Sequence, residues 1–290
     1  MGYRLLVADI DGTLVNAQRE ITPPVRAAVA AAQARGVRVC LATGRIWPSA
    51  QQYVEDLGAD SPAILYNGGM VYDFTSGEVW FRTTLPLQQA RDVLTILHRH
   101  PAVQPHLYVD DHVYVPVMNE TTAIYQRKDN VRTEPVGDLV GWLQVDPMKI
   151  LIIGERPALE AVVRDIDRLP YQVNHVFSEV VYLEILPPGI NKGVALQAMA
   201  ARLGVPAEEI IAVGDNLNDL AMIEYAGMGV AMAHAPEALR ARAQFIAPSN
   251  DDHGLEAVIE RFILAPPQAG SKAHTRRMSK AVGEGGGQTN

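Results

Sequence analysis

The chain has 290 residues, of which 48% are hydrophobic and 20% are charged, a composition typical of an ordinary globular protein. Its length accommodates one large domain or two smaller ones. The net charge of -8 argues against a nucleic-acid partner, because binding to a phosphate backbone depends mainly on Lys and Arg. A small ligand fits this charge better. No apolar run approaches the ~18 residues that a membrane span needs, so we expect no membrane partner.

The one cysteine, Cys40, cannot form an internal disulfide, and its apolar surroundings in sequence favour a buried, inert thiol. The first apolar run of the chain is too short for a signal peptide. We therefore expect a reducing, cytoplasmic setting. No feature of the sequence indicates a protein partner.

The first third of the chain alternates short apolar runs with stretches of helical periodicity. Strands are predicted at residues 3–8, 37–42 and 63–66, and helices at 23–35 and 47–57. This βαβαβ order favours a Rossmann-like α/β fold, in which a parallel sheet carries helices on both faces. Ligands of such sheets bind at the carboxyl ends of the strands.

The same alternation returns late in the chain. Its predicted elements are a helix at 192–203, a strand at 210–213, a helix at 219–225, a strand at 229–232 and a helix at 236–242. We predict that residues 1–84 and 187–265 form one discontinuous core. Residues 266–290 are rich in Gly, Ser, Ala and Gln, so we expect a disordered tail.

Residues 85–186 show a different pattern of helices and paired strands, which predicts an inserted α+β domain. Two hairpins are predicted there, residues 104–109 with 112–117 around Asp110-Asp111, and residues 172–177 with 180–185 around Ser178-Glu179. Proline at both borders ends regular structure and favours a hinge.

The strongest chemical signal is the sequence Asp9-Ile10-Asp11-Gly12-Thr13, where the first strand ends in a glycine turn. Transfer of a phosphoryl group to a carboxylate needs one ionised acid as the nucleophile and a second acid that protonates the leaving oxygen. Asp9 and Asp11 suit these two roles. A lone aspartate would more often cap a turn or a helix, but an acid pair followed by Gly-Thr fits that alternative poorly.

Two further segments offer groups that bind phosphate. At the end of the second strand, Thr43 offers a hydroxyl, and Gly44 lets the main chain approach an anion closely. Lys192 stands at a predicted helix start, where a cation opposes the helix dipole, and charge compensation beside the nucleophile would explain it. Taken alone, a plain turn and a solvent-facing lysine explain these residues as well.

Residues 214–219, with the sequence Gly-Asp-Asn-Leu-Asn-Asp, place several oxygen ligands after another apolar run. Hard oxygen donors favour Mg²⁺, which proteins hold with few carboxylates together with substrate phosphate and water. The eight histidines show no zinc spacing, and the spacing of an EF-hand is absent. The sequence therefore predicts a magnesium site that includes Asp215.

In this order, the four segments resemble the haloacid dehalogenase superfamily, and specifically its Cof-type phosphatases with a type IIB cap. The resemblance covers nearly the whole chain. It includes the Asp-x-Asp-Gly-Thr start, Thr43, Lys192 within residues 187–193, and the Gly-Asp-x-x-Asn-Asp segment.

The resemblance implies a role for each of these residues. Asp9 would be the nucleophile and a magnesium ligand, and Asp11 would be the general acid/base and bind the metal through its backbone carbonyl. Asp215 would complete the protein ligands of the metal. Asp219 would hold these ligands in place without binding the metal itself. The phosphate would be bound by Thr43, Gly44 and Lys192, and Asn218 would contact the phosphate or a metal-bound water, with Asn250 a weaker candidate. His234 stands where relatives often carry Asn, and we expect it to be a packing residue.

The resemblance also implies magnesium-dependent hydrolysis of a phosphate monoester of a small metabolite, with sugar phosphates one candidate class, through an aspartyl-phosphate on Asp9. The inserted domain would be a cap that closes over the site and selects the substrate. His112, Tyr114, Tyr182 and Glu184 are cap residues that are candidates to face the site, although strand alternation does not decide which face is inward.

Two alternatives remain open at this point. A receiver-like signalling module also accepts phosphate on an aspartate, but it would lack the inserted domain and the second acid. A phosphomutase or phosphotransferase on the same scaffold would return the phosphoryl group to another hydroxyl, and the sequence does not exclude it.

Overall fold

The computed structural model describes residues 2–58 and 61–265. A five-stranded parallel sheet forms its centre. Its strands are β1 Leu5–Ala8, β2 Arg38–Leu41, β12 Ile210–Gly214, β13 Met228–Met232 and β14 Phe245–Ala247. They lie in the order β14-β13-β12-β1-β2. Because β1 lies between β12 and β2, the carboxyl ends of these three strands are neighbours.

Helices cover both faces of this sheet. They are α1 Pro23–Ala34, α2 Trp47–Asp56, α7 Lys192–Leu203, α8 Leu220–Tyr225, α9 Glu237–Arg240 and α10 Gly254–Ile259. Alternate residues of β1 enter opposite apolar clusters: Leu6 packs with α1 and α10, whereas Leu5 packs with α7 and α8. Strands buried on both faces read as continuous apolar runs, which is why the sequence predicted them. The predicted α/β core is confirmed.

A small antiparallel sheet follows the second helix. It consists of β3 Ala63–Leu65, β4 Met70–Asp73 and β5 Glu78–Arg82. The third predicted strand, β3, forms an isolated bridge to the parallel sheet between Ala42 and Ile64, and its regular pairing is with β4. Neither β4 nor β5 was predicted from the sequence. In β5 most residues are half-exposed or exposed.

The chain also forms a separate six-stranded sheet. Its strands are β6 Gln104–Val109, β7 His112–Val115, β8 Thr133–Pro135, β9 Lys149–Ile153, β10 Asn174–Glu179 and β11 Tyr182–Leu186. They lie in the order β10-β11-β9-β6-β7-β8, with every pair antiparallel except β7 and β8. Its helices are α3 Leu87–Leu97, α4 Glu120–Asp129, α5 Leu139–Trp142 and α6 Arg156–Ile166. These elements form the sheet cap, and their strands all lie inside residues 85–186, the range that we propose for the inserted domain.

The two faces of the cap sheet have different neighbours. Leu107, Ile150 and Leu183 pack in one apolar cluster with α3 and α6. Tyr108 and Leu151, one position along the same strands, belong instead to the cluster that reaches the parallel sheet. The second face of the cap sheet is therefore turned toward the core.

The first predicted hairpin is confirmed, with Asp110 in the left-handed conformation at its turn. The turn predicted at Ser178-Glu179 is wrong. Glu179 ends β10 and pairs with Tyr182, so the turn is Val180-Val181. Pairing along the sheet sets the register there, and it overrides the turn preference of the polar residues.

Residues 266–290, which were predicted to be disordered, lie outside the described residues. Among the residues described, none of the helices combines the length and the apolar character that a bilayer crossing requires.

Candidate active site

Three acidic side chains meet at the carboxyl edge of the parallel sheet. Asp9 follows β1 and Asp215 follows β12, while Asp219 precedes α8. One carboxylate oxygen from each lies within 4.8 Å of the others. The backbone N–H of Asp9 donates to the carbonyl of Val213 at 3.0 Å, which fixes Asp9 beside β12.

The glycine after the acid pair has a structural cause. Gly12 has a φ of +77°, and a Cβ atom placed on it would lie 2.4 Å from Asp215 Oδ2. The hydroxyl of the next residue, Thr13, donates to Asp215 Oδ1 at 3.0 Å. The Asp-x-Asp-Gly-Thr sequence therefore shapes the turn and also orients the carboxylate of Asp215.

Lys192 is the cation of this cluster, and its side chain is 0% exposed. Its Nζ donates to Asp9 Oδ1 at 2.9 Å and to Asp219 Oδ1 at 2.7 Å. Burial by itself would lower the pKa of Lys192, but the charges of Asp219 and Asp9 outweigh it and raise that pKa. Asn191 caps the helix start by accepting from the N–H of Val194 at 2.9 Å, and this places the lysine in the first turn.

Negative charge nevertheless exceeds positive charge at this point. Burial raises the pKa of Asp9 well above its ordinary value; Lys192 opposes this, and the charges of Asp219 and Asp215 add to it. A divalent cation near Asp9 would offset the excess. The donors present are hard carboxylate oxygens, which suit Mg²⁺.

Asp219 is committed to bonds within the protein. Its Oδ2 accepts from the backbone N–H groups of Asp215 at 2.9 Å and Asn216 at 3.1 Å, and its Oδ1 accepts from Lys192. With both oxygens engaged and the side chain fully buried, it holds the Asp215 loop and Lys192 in place. Asp9 and Asp215 are the better placed of the three carboxylates to hold a metal ion.

His234 lies at the edge of this cluster, and the prediction that it is a packing residue is wrong. Its Nε2 is 3.7 Å from Asp215 Oδ2, and its side chain is 39% exposed. The nearby Asp215 carboxylate raises the pKa of His234 against the opposing effect of burial. The structure thus places His234 beside a candidate metal ligand.

Asp11 points to a different partner, Arg45. The guanidinium donates from Nε to Asp11 Oδ2 and from Nη2 to Asp11 Oδ1, both at 2.7 Å. Arg45 also lies 3.5 Å from Asp129 on the cap helix α4, and Arg19 lies 3.6 Å from Asp11. Arg45 was not predicted from the sequence as a site residue, although it directly follows Thr43-Gly44, because nothing local indicates which acid it meets.

Thr43 is buried, and its Oγ1 accepts from the backbone N–H of Arg45 at 3.1 Å. Asn218 donates from Nδ2 to Oδ1 of Asn67 at 3.0 Å, so the loop after β12 is tied to the loop after β3. Asn67 Nδ2 and Asn218 Oδ1 are buried, and neither has a hydrogen-bond partner among the described residues. Asn67 was not identified from the sequence.

Asn250, the weaker phosphate-binding candidate, is engaged elsewhere. Its Nδ2 donates to the main-chain carbonyl of Val15 at 2.8 Å. This contact fastens the loop after β14 to the segment that follows the acid pair, and Asn250 does not line the cavity described next.

A cavity with an empty volume of ≈ 540 Å³, including space open to solvent, joins the acidic cluster to the cap. Asp9, Asp11, Thr43, Gly44 and Asn218 line its core side. Its cap side is lined by residues that include Tyr108, Tyr125, Asp129, Lys149, Glu179, Tyr182 and Glu184.

The four cap candidates divide between the two faces of the sheet. Tyr182 and Glu184 line the cavity. His112 and Tyr114 stack on each other with ring centroids 6.3 Å apart, and Tyr114 packs on Trp142 at 4.1 Å. They do not line the cavity.

Comparison with known proteins supplies an independent view. Residues 6–259 match the family described as haloacid dehalogenase-like hydrolase. The putative phosphatase YxeH of Bacillus subtilis is 32% identical over 274 residues, which cover 91% of this chain and 99% of that protein. The pyridoxal phosphate phosphatase YbhA of Escherichia coli is 28% identical over 276 residues, 91% of this chain and 100% of that protein.

Solved structures agree with this result. A haloacid dehalogenase-like hydrolase from Bacteroides thetaiotaomicron has a TM-score of 0.80 and 29% sequence identity to this chain. The match covers 89% of this chain and 99% of that one. The similarity therefore includes the cap sheet as well as the parallel sheet.

Proposed function

The chain belongs to the haloacid dehalogenase-like hydrolase family and is a phosphatase, and from that premise we propose the reaction it catalyses. It hydrolyses the phosphate monoester of a small metabolite through an aspartyl-phosphate intermediate on Asp9. Mg²⁺ is its cofactor. Residues 85–186 are the cap, and residues 1–84 with 187–265 are the catalytic core.

The contact between Asp9 and Lys192 carries this proposal. A carboxylate attacks phosphorus only if it is ionised, and burial favours its neutral form. The ammonium 2.9 Å from Asp9 Oδ1 opposes that effect. Lys192 also offers a positive charge beside the incoming phosphate, so one side chain supports both the nucleophile and its target.

Magnesium would be held by Asp9, Asp215 and the backbone carbonyl of Asp11. The acid cluster fits this ion because its donors are hard oxygens and its negative charge is only partly offset by Lys192. When bound, the ion neutralises charge on the phosphate oxygens. Asp219 keeps the ligands in place through the bonds that it makes to the Asp215 loop.

The first chemical step is attack by an Asp9 oxygen on phosphorus. A bond forms between that oxygen and phosphorus, the bond from phosphorus to the ester oxygen breaks, and Asp11 in its protonated form gives a proton to the departing oxygen. In the second step, ionised Asp11 accepts a proton from water, whose oxygen attacks phosphorus and releases Asp9. Each cycle therefore returns Asp11 to its starting state.

The residues around the nucleophile bind the transferring group. The Thr43 hydroxyl and the backbone amide of Gly44 donate to phosphate oxygens, as does the amide of Asn218. Lys192 provides the charge. Thr43, Gly44 and Asn218 line the cavity that opens next to Asp9, and Lys192 contacts Asp9 itself.

The cap supplies the walls that surround the leaving group and exclude water. Among the relatives, YbhA carries the name of a pyridoxal phosphate phosphatase. For this chain we propose a small phosphorylated metabolite, with sugar phosphates as the first class to test, and a cytoplasmic setting.

The test is a panel of phosphorylated metabolites assayed with Mg²⁺ for released phosphate. Asp9→Asn should reduce phosphate release to background, because an amide nitrogen does not attack phosphorus. Asp56→Asn, an exposed acid at the end of α2, is the matched control and should retain full activity. Phosphatase activity retained by Asp9→Asn, or isomerised sugar phosphate in place of free phosphate, would refute the proposal.

A further inference from the structure

Residues 43–45 form a loop after β2, called here the 43–45 loop, whose outer two carbonyl groups are held by the core. The backbone N–H of Asn67 donates to the carbonyl of Thr43 at 3.0 Å. The backbone N–H of Tyr66 donates to the carbonyl of Arg45 at 3.2 Å. Both donors belong to the turn after β3, so these two contacts do not depend on the cap.

The middle carbonyl of the 43–45 loop has a donor from the cap. Lys149, the first residue of β9, donates from Nζ to the carbonyl of Gly44 at 2.8 Å. The same ammonium donates to Glu184 Oε2 on β11 at 2.6 Å and lies 4.7 Å from the centre of the Tyr108 ring. The Lys149 and Glu184 side chains are only 2% and 5% exposed.

The buried pair needs the Gly44 contact. A buried ammonium and carboxylate lose their hydration, and their mutual attraction compensates only when their other polar atoms are also hydrogen-bonded. The Gly44 carbonyl accepts one of the hydrogen bonds that the buried Lys149 ammonium must make. Cap and core are thus joined by a charge-assisted hydrogen bond at the loop that carries Thr43.

The Gly44 carbonyl and the Arg45 N–H belong to the same planar peptide unit, so fixing the first also fixes the second. That N–H donates to Thr43 Oγ1 at 3.1 Å, which leaves the hydroxyl proton of Thr43 for another acceptor. Gly44 has no Cβ, and its backbone has little preference of its own. The orientation of this peptide unit therefore depends on its hydrogen bonds.

We infer that Lys149 is a positioning residue that couples closure of the cap to the 43–45 loop. With the cap over the core, the ammonium fixes the Gly44 carbonyl, and through that peptide unit it fixes the hydroxyl that Thr43 presents to phosphate. When the cap moves away, this hydrogen bond is lost while the two core contacts remain. The inference rests on the proposed function and concerns the phosphate, whatever leaving group is attached.

The test uses the double variant Lys149→Met/Glu184→Met. Exchange of a buried ion pair for apolar side chains of similar size often preserves stability, whereas removal of one partner leaves the other charge buried and unpaired. Two substrates are compared: acetyl phosphate, which has a very small leaving group, and the best hexose phosphate of the panel. The inhibition constant of inorganic phosphate is measured as well.

We expect kcat/KM to fall by at least about tenfold for both substrates, and inhibition by phosphate to weaken similarly, since the lost contact orients the loop. A loss confined to the hexose phosphate would overturn the inference, because it would mean that the pair contacts the leaving group. Unchanged constants for acetyl phosphate and inorganic phosphate would overturn it too.

Three further variants keep the result interpretable. Lys149→Met/Glu184→Gln also removes the contact to Gly44 without leaving an unpaired charge, so it carries the same expectation if the double methionine variant does not fold, and Glu184→Gln should lose less because the ammonium remains. Arg156→Gln/Glu160→Gln removes an exposed ion pair of the cap and should leave all constants unchanged. Absence of activity in the wild-type protein would count against the proposed function, whereas an active wild type with unaffected Lys149 variants would count against this inference alone.

Discussion

The carboxylate of Asp11 is held by the guanidinium of Arg45 through two parallel hydrogen bonds of 2.7 Å. The Arg45 side chain is 5% exposed, whereas that of Asp11 is 33% exposed. Burial is the largest single influence on Asp11 and raises its pKa, but the hydrogen bonds and charge of Arg45 outweigh it and leave the pKa lowered. Arg45 therefore favours the ionised form of Asp11, the form that accepts a proton from water in the second step of the proposed mechanism.

Arg45→Gln should move the low-pH limb of the kcat profile to higher pH. The substitution removes the cation that lowers the pKa of Asp11, so that pKa rises and a higher pH is needed to ionise the base. The measurement is kcat at saturating substrate over the pH range in which the protein stays folded. Arg26→Gln, at an exposed ion pair with Asp56, is the control. If the low-pH limb of the kcat profile does not move in Arg45→Gln, a group other than Asp11 determines that limb.

Mg²⁺ should raise the melting temperature of the wild-type protein, and Asp215→Asn should remove most of that effect. A ligand that binds only the folded state stabilises it by about 2.7 kcal/mol at a hundredfold excess over its dissociation constant. The exchange keeps the size of the side chain and removes its charge. Thermal unfolding with MgCl₂, against KCl at the same ionic strength, measures the effect without an activity assay. Equal shifts in both proteins would contradict the proposed ligand set.

His106 should make the folded protein sensitive to mild acid. It is fully buried, and burial lowers its pKa to about 4 against a smaller opposing effect of the Gln104 carbonyl. Its Nδ1 lies 3.2 Å from that carbonyl, which only accepts, so Nδ1 carries the proton and Nε2 accepts from the Thr122 hydroxyl at 3.3 Å. The folded protein therefore holds a neutral imidazole.

The unfolded chain binds the proton near pH 6.5, so the stabilisation from neutral His106 is full above that pH and is lost as the pH falls toward 4. Between pH 7 and pH 5 the loss is about 2 kcal/mol. Urea unfolding at these two pH values measures it. His106→Gln should lose less stability over this interval than the wild type. The same pH dependence in both would exclude His106 as the cause.

The segments that carry the candidate site could be predicted from the sequence because each has a local cause. The parallel strands are buried on both faces and read as apolar runs, so their ends are visible in the chain. Asp9, Thr43 and Asp215 each follow such a run closely, and the rule that parallel strands end at one edge brings them together. Asn191 is a good N-cap, so the position of Lys192 at a helix start is also local.

The partners of these residues depended on the tertiary structure. Arg45 meets Asp11 across 34 positions, and Lys149 meets Gly44 across 105. No periodicity or spacing in the sequence indicates either contact. The orientation of the cap strands has the same cause, since alternation shows two faces but does not show which one meets the core.

By itself, then, the sequence determined the parallel core, the chain order of the acids, Lys192 and the loop at Thr43, and the presence of an inserted domain. Only the tertiary structure decided that Asp219 is held by Lys192 and two backbone amides, that Asp11 turns to Arg45, and that Lys149 contacts the 43–45 loop. The physical reason is that a local pattern reports the burial of its own segment. A contact between distant segments is set by how the cap and the core pack against each other.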